Sequence, residues 1–174
     1  MSFLTDPYNS ADEDLQLTRD AIRLLMQYGR RFAILTKAGL KSTRDFSLMK
    51  RYRDRCRYGT TLTVMKPELQ DHWEPWAASI EERLQTLRIA HQLGIPTFVS
   101  IEPLIDPEDA LDIIQATIAD RYVDEYRLGI MNHIELPYEI DFAAYLRDAI
   151  ALLESAGKRY LIKEDLRRAA GVQG

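Results

Sequence analysis

The stretch Thr97-Phe98-Val99-Ser100-Ile101-Glu102 decides the fold, because it is a short apolar run that ends on a polar side chain. Other short apolar runs end on, or run directly into, polar side chains at residues 3–6, 32–37, 60–64, 126–132 and 160–164. Most of them are separated by helix-like stretches, and alternation of strands with helices builds a parallel sheet. The sequence therefore predicts an α/β fold with about six parallel strands. Its 174 residues are few for a closed eight-stranded barrel, which typically needs about 250.

Polar side chains end the predicted strands. Open parallel sheets and barrels bind and react at the carboxyl ends of their strands, so these side chains are expected at one edge of the sheet. The set comprises Asp6, Lys37, Thr63, Glu102, Asn132 and Lys163. The alternative is that polar residues follow strands only because loops face water.

Three of these side chains indicate a binding chemistry. Asp6, followed by Pro7, could accept hydrogen bonds from an ammonium group or from hydroxyls, although Asp-Pro is also common in turns. Lys37 suits a carboxylate or a phosphate. A desolvated Lys37 or Lys163 could instead form a Schiff base. Glu102 indicates a ligand if it faces inward, because charged residues are rarely buried without a partner.

Apolar spacing and turn residues predict the remaining elements. Helices are expected over residues 10–28, 44–55, 80–93, 107–119, 140–156 and 164–170. Strands are expected over residues 31–36, from Gly59, from Pro96 and over residues 122–130. Residues 38–43 are predicted as a loop, and residues 67–78 as an aromatic-rich connection.

Composition limits the class of protein. A hydrophobic content of 46% and a charged content of 29% are typical of a soluble globular domain. No apolar run approaches the roughly 18 residues of a membrane span, and the first residues lack the pattern of a signal peptide. Cys56 is the only cysteine, which excludes a disulfide framework and a cysteine metal site within the chain. These features predict a cytoplasmic protein without a membrane partner.

Positive charge is concentrated in one segment, although the net charge of the chain is -4. Residues 30–57 contain ten Lys or Arg and only two acids, a local charge of +8. Such a segment could bind a phosphate backbone, or it could be a solvated face whose long side chains cover the core. The predicted nucleic-acid contacts are Arg30, Arg31, Lys41, Lys50, Arg51, Arg53, Arg55 and Arg57.

Several short stretches, taken in order, resemble one enzyme family. They are Leu4-Thr5-Asp6-Pro7-Tyr8, Thr18-Arg19, Ile34-Leu35-Thr36-Lys37, Gly59-Thr60-Thr61-Leu62-Thr63, Trp73-Glu74-Pro75, Glu82-Arg83-Leu84, Ser100-Ile101-Glu102-Pro103 and Tyr160-Leu161-Ile162-Lys163 with Leu166. Together they are similar to the radical S-adenosylmethionine (SAM) enzymes of the spore photoproduct lyase-like group. The resemblance covers nearly the whole chain and implies a single partial (β/α) barrel domain over residues 1–174.

The resemblance also implies a reaction and a set of ligands. Enzymes of this family cleave SAM reductively with a [4Fe-4S] cluster, and the resulting 5'-deoxyadenosyl radical abstracts hydrogen from a substrate, for which nucleic acid is the candidate here. By position, Thr5 and Asp6 would meet the methionyl amino group of SAM, and Lys37 its carboxylate. Thr61 or Thr63 would lie near the ribose or the methionyl part, and Glu102 at the rim beside cofactor or substrate. No catalytic residue is assigned.

The chain departs from the family at the metal site. The family binds its cluster through a C-x-x-x-C-x-x-C loop after the first barrel strand, and Cys56 has no cysteine neighbours. The chain is therefore expected to be the C-terminal part of a longer domain that lacks the first βα unit. Activity would require a missing N-terminal segment or a companion chain. The alternative is a cluster-less, non-catalytic module that binds nucleic acid or serves another protein.

Overall fold

The computed structural model describes residues 5–119, 121–130 and 138–172. The helices of these residues are α1 (Ser10–Leu15), α2 (Leu17–Gln27), α3 (Phe46–Arg51), α4 (Pro67–Trp73), α5 (Ile80–Gln92), α6 (Pro107–Ala119), α7 (Phe142–Ser155) and α8 (Glu164–Ala169). A 3₁₀ helix covers Gly39–Asp45. None of the helices in the described ranges has the length and hydropathy to cross a membrane.

Five strands of the described residues form one sheet. They are β1 (Phe32–Thr36), β2 (Cys56–Thr61), β3 (Thr97–Leu104), β4 (Glu125–Ile130) and β5 (Arg159–Ile162), in the spatial order β1-β2-β3-β4-β5. The order follows the sequence and the strands are parallel, as a run of strand–helix units requires. The predicted α/β fold is confirmed. The first predicted run, residues 3–6, falls largely outside the described residues.

One compact unit comprises residues 1–60 and 76–98. Its core is built from fully buried side chains of α2, β1, α3, β2, α5 and β3, namely Ile22, Ile34, Met49, Tyr58, Leu87 and Phe98. The Tyr58 ring packs edge-on against Phe46 with centroids 4.8 Å apart, and its hydroxyl lies 2.7 Å from Ser42 Oγ. These contacts fix the 3₁₀ helix against the strands of this unit.

The other compact unit comprises residues 61–75 and 99–174. Within it the Leu62 amide donates to the Ser100 carbonyl at 3.0 Å, and the Lys163 amide donates to the Leu128 carbonyl at 2.9 Å. Its buried side chains include Ile101, Ile113, Ile114, Leu128, Leu146 and Leu153. The second of these hydrogen bonds joins Lys163, the residue after β5, to the carboxyl-terminal half of β4.

Some predicted boundaries are wrong. The residues predicted as a loop, 38–43, lie mostly in the 3₁₀ helix, and the helix predicted over 44–55 is confined to α3. The connection predicted over 67–78 contains α4. β2 begins three residues before Gly59, because its first residue pairs with Phe32 of β1. β4 begins at Glu125 rather than at residue 122.

Candidate functional site

In the first unit, the Asp6 carboxylate ties the segment before α1 to the carboxyl end of β1. Its Oδ1 accepts from the Tyr8 amide at 2.8 Å and from Thr36 Oγ1 at 2.7 Å. Its Oδ2 accepts from the Lys37 amide at 2.7 Å. The Asp-Pro segment is therefore a turn, and these three hydrogen bonds fix the Asp6 carboxylate at the end of β1, while its contact with a ligand stays a prediction.

Lys37 lies where the sequence places it, directly after β1. Its amide is bound by Asp6, and its carbonyl accepts from the Ala78 amide at 2.9 Å, so the backbone of this residue is fixed on both sides. Its side chain is half-buried, and Thr5, two residues before Pro7, is exposed. The structure thus brings the Asp6 carboxylate to the backbone of Lys37 from a segment distant in sequence, while the ligand roles of Thr5, Asp6 and Lys37 stay predictions.

A groove of about 350 Å³ opens beside Asp6 in the first unit. Its walls combine apolar and polar side chains, among them Pro7, Leu17, Ala21, Asp6, Asp12 and Thr18. This volume lies at the lower end of the range of small-molecule sites. The groove therefore offers space for part of a ligand next to the Asp6 carboxylate.

In the second unit, Glu102 and Lys163 form an ion pair across the carboxyl ends of β3 and β5. Lys163 Nζ lies 2.5 Å from Glu102 Oε1, and the two side chains are 43% and 20% exposed, Lys163 being the more open. Gly129 of β4 makes room for the pair, because an added Cβ would lie 3.0 Å from Glu102 Cδ and from Lys163 Cδ. The pair thus presents one anion and one cation to solvent at this edge.

The sequence placed Glu102 and Lys163 at this edge, but it did not identify Gly129 as their partner. Glycine within a strand often marks a close approach of another group, and that signal was available in the run Tyr126-Arg127-Leu128-Gly129-Ile130. Asn132, also predicted at this edge, lies outside the described residues.

Thr63 is buried beyond the end of β2, and its hydroxyl donates to Glu74 Oε1 at 2.7 Å. Thr61, the last residue of β2, is also buried. In the same unit, Asp109 Oδ2 accepts from the Met65 amide at 2.5 Å and so fixes the segment after Thr63. The described contacts therefore give Thr63 a structural role, while the predicted ligand roles of Thr61 and Thr63 stay predictions.

Cys56 does not fit a [4Fe-4S] cluster. Its thiol is buried at the first residue of β2, the opposite end of that strand from Thr61, and it donates to the Met49 carbonyl at 3.4 Å. The described residues contain no group of three or more His, Cys, Asp or Glu side chains arranged to bind a metal. Because such a cluster needs three thiolates and the sequence has one cysteine, this chain alone does not bind one.

The Cys56 thiol should be unreactive in the folded protein. Burial, with a smaller contribution from the nearby Asp54 charge, raises the pKa of the thiol from 9.0 to about 12, which lowers its thiolate fraction about a thousandfold. A disulfide reagent at about pH 8 should label Cys56 only after the protein is unfolded in guanidinium chloride. Rapid labelling of the native protein would show that Cys56 is accessible and ionised.

The cations of the basic segment have three kinds of surroundings in the structure. Lys41 pairs with Glu13, and Arg44 pairs with Asp12, so these two cations are neutralised by acids of α1. Arg57 is half-buried within β2. The other predicted contacts, Arg30, Arg31, Lys50, Arg51, Arg53 and Arg55, are exposed.

No protein-family model matches the chain. The uncharacterized protein MJ0683 of Methanocaldococcus jannaschii is 29% identical over 113 residues, which are 65% of this chain and 42% of that protein. The uncharacterized protein ORF301 of Acidianus two-tailed virus is 26% identical over 140 residues, which are 76% of this chain and 45% of that protein. The chain thus spans less than half the length of these two curated relatives.

Solved structures of radical SAM enzymes are similar to the chain. Streptococcus suis SuiB bound to SAM aligns with a TM-score of 0.68 and 11% identity, over 87% of this chain and 36% of SuiB. A domain of pyruvate-formate lyase-activating enzyme from Bacteroides vulgatus aligns with a TM-score of 0.65 and 16% identity, over 91% of this chain and 94% of that domain.

A variant of spore photoproduct lyase with bound AdoMet and dinucleoside spore photoproduct also aligns, with a TM-score of 0.66 and 14% identity. The alignment covers 92% of this chain and 58% of the lyase. At these identities the likeness establishes the fold. The chain has the α/β partial-barrel fold of the radical SAM enzymes, as the resemblance in its sequence predicted.

Proposed function

We propose that this chain is the SAM-binding part of a radical SAM enzyme. The observation that carries the proposal is the Glu102–Lys163 pair, which stands at the carboxyl ends of strands in a fold whose solved examples include SAM-bound proteins. Ligands of parallel sheets bind at this edge. When bound, SAM would supply the 5'-deoxyadenosyl group, and the reductive cleavage itself would need a cluster from residues outside this chain.

The Glu102 carboxylate suits the hydroxyls of SAM. Glu102 can accept hydrogen bonds from the ribose hydroxyls, and Lys163, whose Nζ lies 2.5 Å from Oε1, holds the carboxylate in position. Because both side chains keep part of their surface open to solvent, a ligand can bind to them without first unfolding the edge. Gly129 preserves the space in which the two side chains meet.

In the first unit, Thr5, Asp6 and Lys37 are proposed ligands of the methionyl end of SAM. The support is the fixed position of the Asp6 carboxylate at the end of β1 and the groove beside it. A carboxylate that already accepts three hydrogen bonds is held in one orientation, so it can meet an ammonium group with little further ordering. The proposed contacts of Thr61 and Thr63 with SAM rest on the motif resemblance alone.

Replacing Glu102 with glutamine should weaken SAM binding about 10- to 100-fold, the loss expected when a charge-assisted hydrogen bond of about 1.5–3 kcal/mol is removed. Gly129→Ala should weaken binding to a smaller extent, because a Cβ at 3.0 Å from Glu102 Cδ and Lys163 Cδ would displace both side chains by a few tenths of an ångström. The measurement is isothermal titration of the purified chain with SAM.

Glu164→Gln is the matched control. Glu164 is the next residue after Lys163, and its side chain is 88% exposed. Its ion pair with Arg168 lies on the surface, where such pairs contribute little to the free energy of unfolding. This variant should bind SAM within about twofold of the unaltered chain. Equal binding by the Glu102→Gln and unaltered chains, or no saturable binding by the unaltered chain, would overturn the proposal.

The second candidate is a cluster-less binding module. It is favoured by the absence of cluster ligands in this chain and by the exposed arginines of the first unit. The two candidates differ in a direct way, because a binding module needs neither SAM nor iron to act. Nucleic-acid binding without SAM binding would favour the second candidate.

A further inference from the structure

Six exposed basic side chains of the first unit lie at or near the amino-terminal edge of β1 and β2. We name Arg30, Arg31, Lys50, Arg51, Arg53 and Arg55 the amino-edge cluster. Arg31 directly precedes β1 and Arg55 directly precedes β2, whose first residues are paired in register. The Phe32 amide donates to the Arg55 carbonyl at 3.1 Å, so the two segments run side by side at the usual strand spacing of about 4.8 Å.

The amino-edge cluster has little neutralising charge around it. Within the described part of the chain, none of Arg30, Arg31, Lys50, Arg51 and Arg53 forms an ion pair, and Arg55 donates to the Gly29 carbonyl at 2.9 Å. The acid of these segments is Asp54, which leaves a charge of +5 over residues 30–31 and 50–55. This contrasts with Lys41 and Arg44 of the same basic segment, which pair with acids.

Favourable interaction with a helix dipole accounts for only some of the cations in the cluster. Lys50 and Arg51 lie in the last turn of α3, where cations interact favourably with the helix dipole. Arg30, Arg31 and Arg55 lie outside helices. Arg53 lies over the end of α5, since a Cβ at Gly94 would be 3.7 Å from its Cδ. Residues 91–96 add His91 to this surface and no acid.

We propose that the amino-edge cluster binds the phosphate backbone of a nucleic acid. Five of its six members are arginines, whose planar guanidinium groups donate two parallel hydrogen bonds to phosphate oxygens. Tyr28 lies two residues before Arg30 and is 67% exposed, so an aromatic ring accompanies the cluster in sequence. A charge of +5 on a protein of net charge -4 concentrates anions at this one surface.

The position of the cluster determines what kind of contact it makes. β1 has five residues, so its amino and carboxyl ends are separated by about 16 Å. Asp6 and Lys37 lie at the carboxyl end, and the cluster lies at the other. Nucleic acid bound by the cluster is therefore docked away from that end of the strand. The inference goes beyond SAM binding and does not depend on it.

The test compares two triple variants of equal net charge. In the first, Arg31, Arg51 and Arg53 are replaced by glutamine. In the second, the matched control, Arg23, Arg147 and Arg168 are replaced by glutamine; these arginines pair on the surface with Asp20, Asp148 and Glu164. The probe is a fluorescent duplex of about 20 base pairs, and its anisotropy is measured between about 50 and about 200 mM NaCl without SAM.

The unaltered chain and the control should bind the duplex with a steep salt dependence. The cluster variant should lose at least about tenfold in affinity, and the slope of log affinity against log salt should become less negative by about 2–3. Three outcomes would overturn the proposal: no binding at the lowest salt, equal losses in both variants, or cluster-dependent binding to phosphatidylserine vesicles without binding to DNA.

Discussion

Replacing Asp45 with asparagine should lower the free energy of unfolding by about 3 kcal/mol or more, the usual cost of breaking a buried ion pair. Asp45 is fully buried, and its Oδ1 lies 2.6 Å from Arg19 Nε. Its Oδ2 lies 3.8 Å from Arg44 Nε. Asparagine would keep the shape of the side chain but would leave two guanidinium groups facing a neutral amide.

The neighbours of Asp45 explain why the loss should be large. Arg44 also pairs with Asp12, and its guanidinium lies 5.2 Å from the centre of the Tyr8 ring. Burial, and secondarily the Asp45 charge, raises the pKa of Tyr8, so this hydroxyl stays protonated. The network connects α1, α2 and the 3₁₀ helix, and removal of its central anion should loosen all three.

Urea unfolding followed by circular dichroism gives the measurement, and Asp20→Asn is the matched control. Asp20 makes the same kind of pair, with Arg23 at 3.0 Å, but its side chain is 66% exposed. Its replacement should change stability by less than about 0.5 kcal/mol. Similar losses in the two variants would mean that the buried network does not stabilise the fold.

Replacing Gly59 with alanine should cost about 3 kcal/mol, at the upper end of the range for overpacked cores. An added Cβ would lie 2.4–2.5 Å from ring atoms of Phe98, closer than real contacts allow. Both residues belong to the first unit, and the Phe98 ring is fully buried, so relief of the overlap would displace packed neighbours. Thermal unfolding would measure the loss.

Two further variants separate steric overlap from backbone strain. The Gly59→Ala, Phe98→Leu double variant should be more stable than the sum of the single losses predicts, by about 0.5–3 kcal/mol. Gly157→Ala has no neighbour within 4 Å but a φ of +62°, so it should cost only the strain of about 1–2 kcal/mol. Strict additivity of the first pair would argue against the overlap with Phe98.

Local sequence patterns were sufficient to predict the position of a helix or strand where the segment is both apolar and bounded by turn residues. β1 and β3 begin within one residue of the predicted positions, and α6 has the predicted bounds. The 3₁₀ helix was missed because it depends on distant partners: Ser42 Oγ reaches both the Gly39 carbonyl and the hydroxyl of Tyr58. No window of the sequence around residue 42 contains that second contact.

Prediction of the candidate sites was limited in the same way, because their contacts join residues that are distant in sequence. The apolar runs of the sequence placed Lys37 and Lys163 directly after strands and Glu102 in the carboxyl-terminal half of one, where the structure has them. The sequence could not show which of them would pair, because Glu102 and Lys163 are 61 residues apart. Likewise, the +8 segment did not reveal that Lys41 and Arg44 are neutralised by α1.

Gly129 ties the geometry of the carboxyl edge of the second unit to a residue that carries no functional group. An added Cβ would lie 3.0 Å from Glu102 Cδ and from Lys163 Cδ, so both side chains would have to shift by a few tenths of an ångström. Every glycine codon is one base substitution away from an alanine codon. A point mutation that leaves the net charge unchanged could therefore alter the alignment of Glu102 with Lys163 while both of their own codons remain intact.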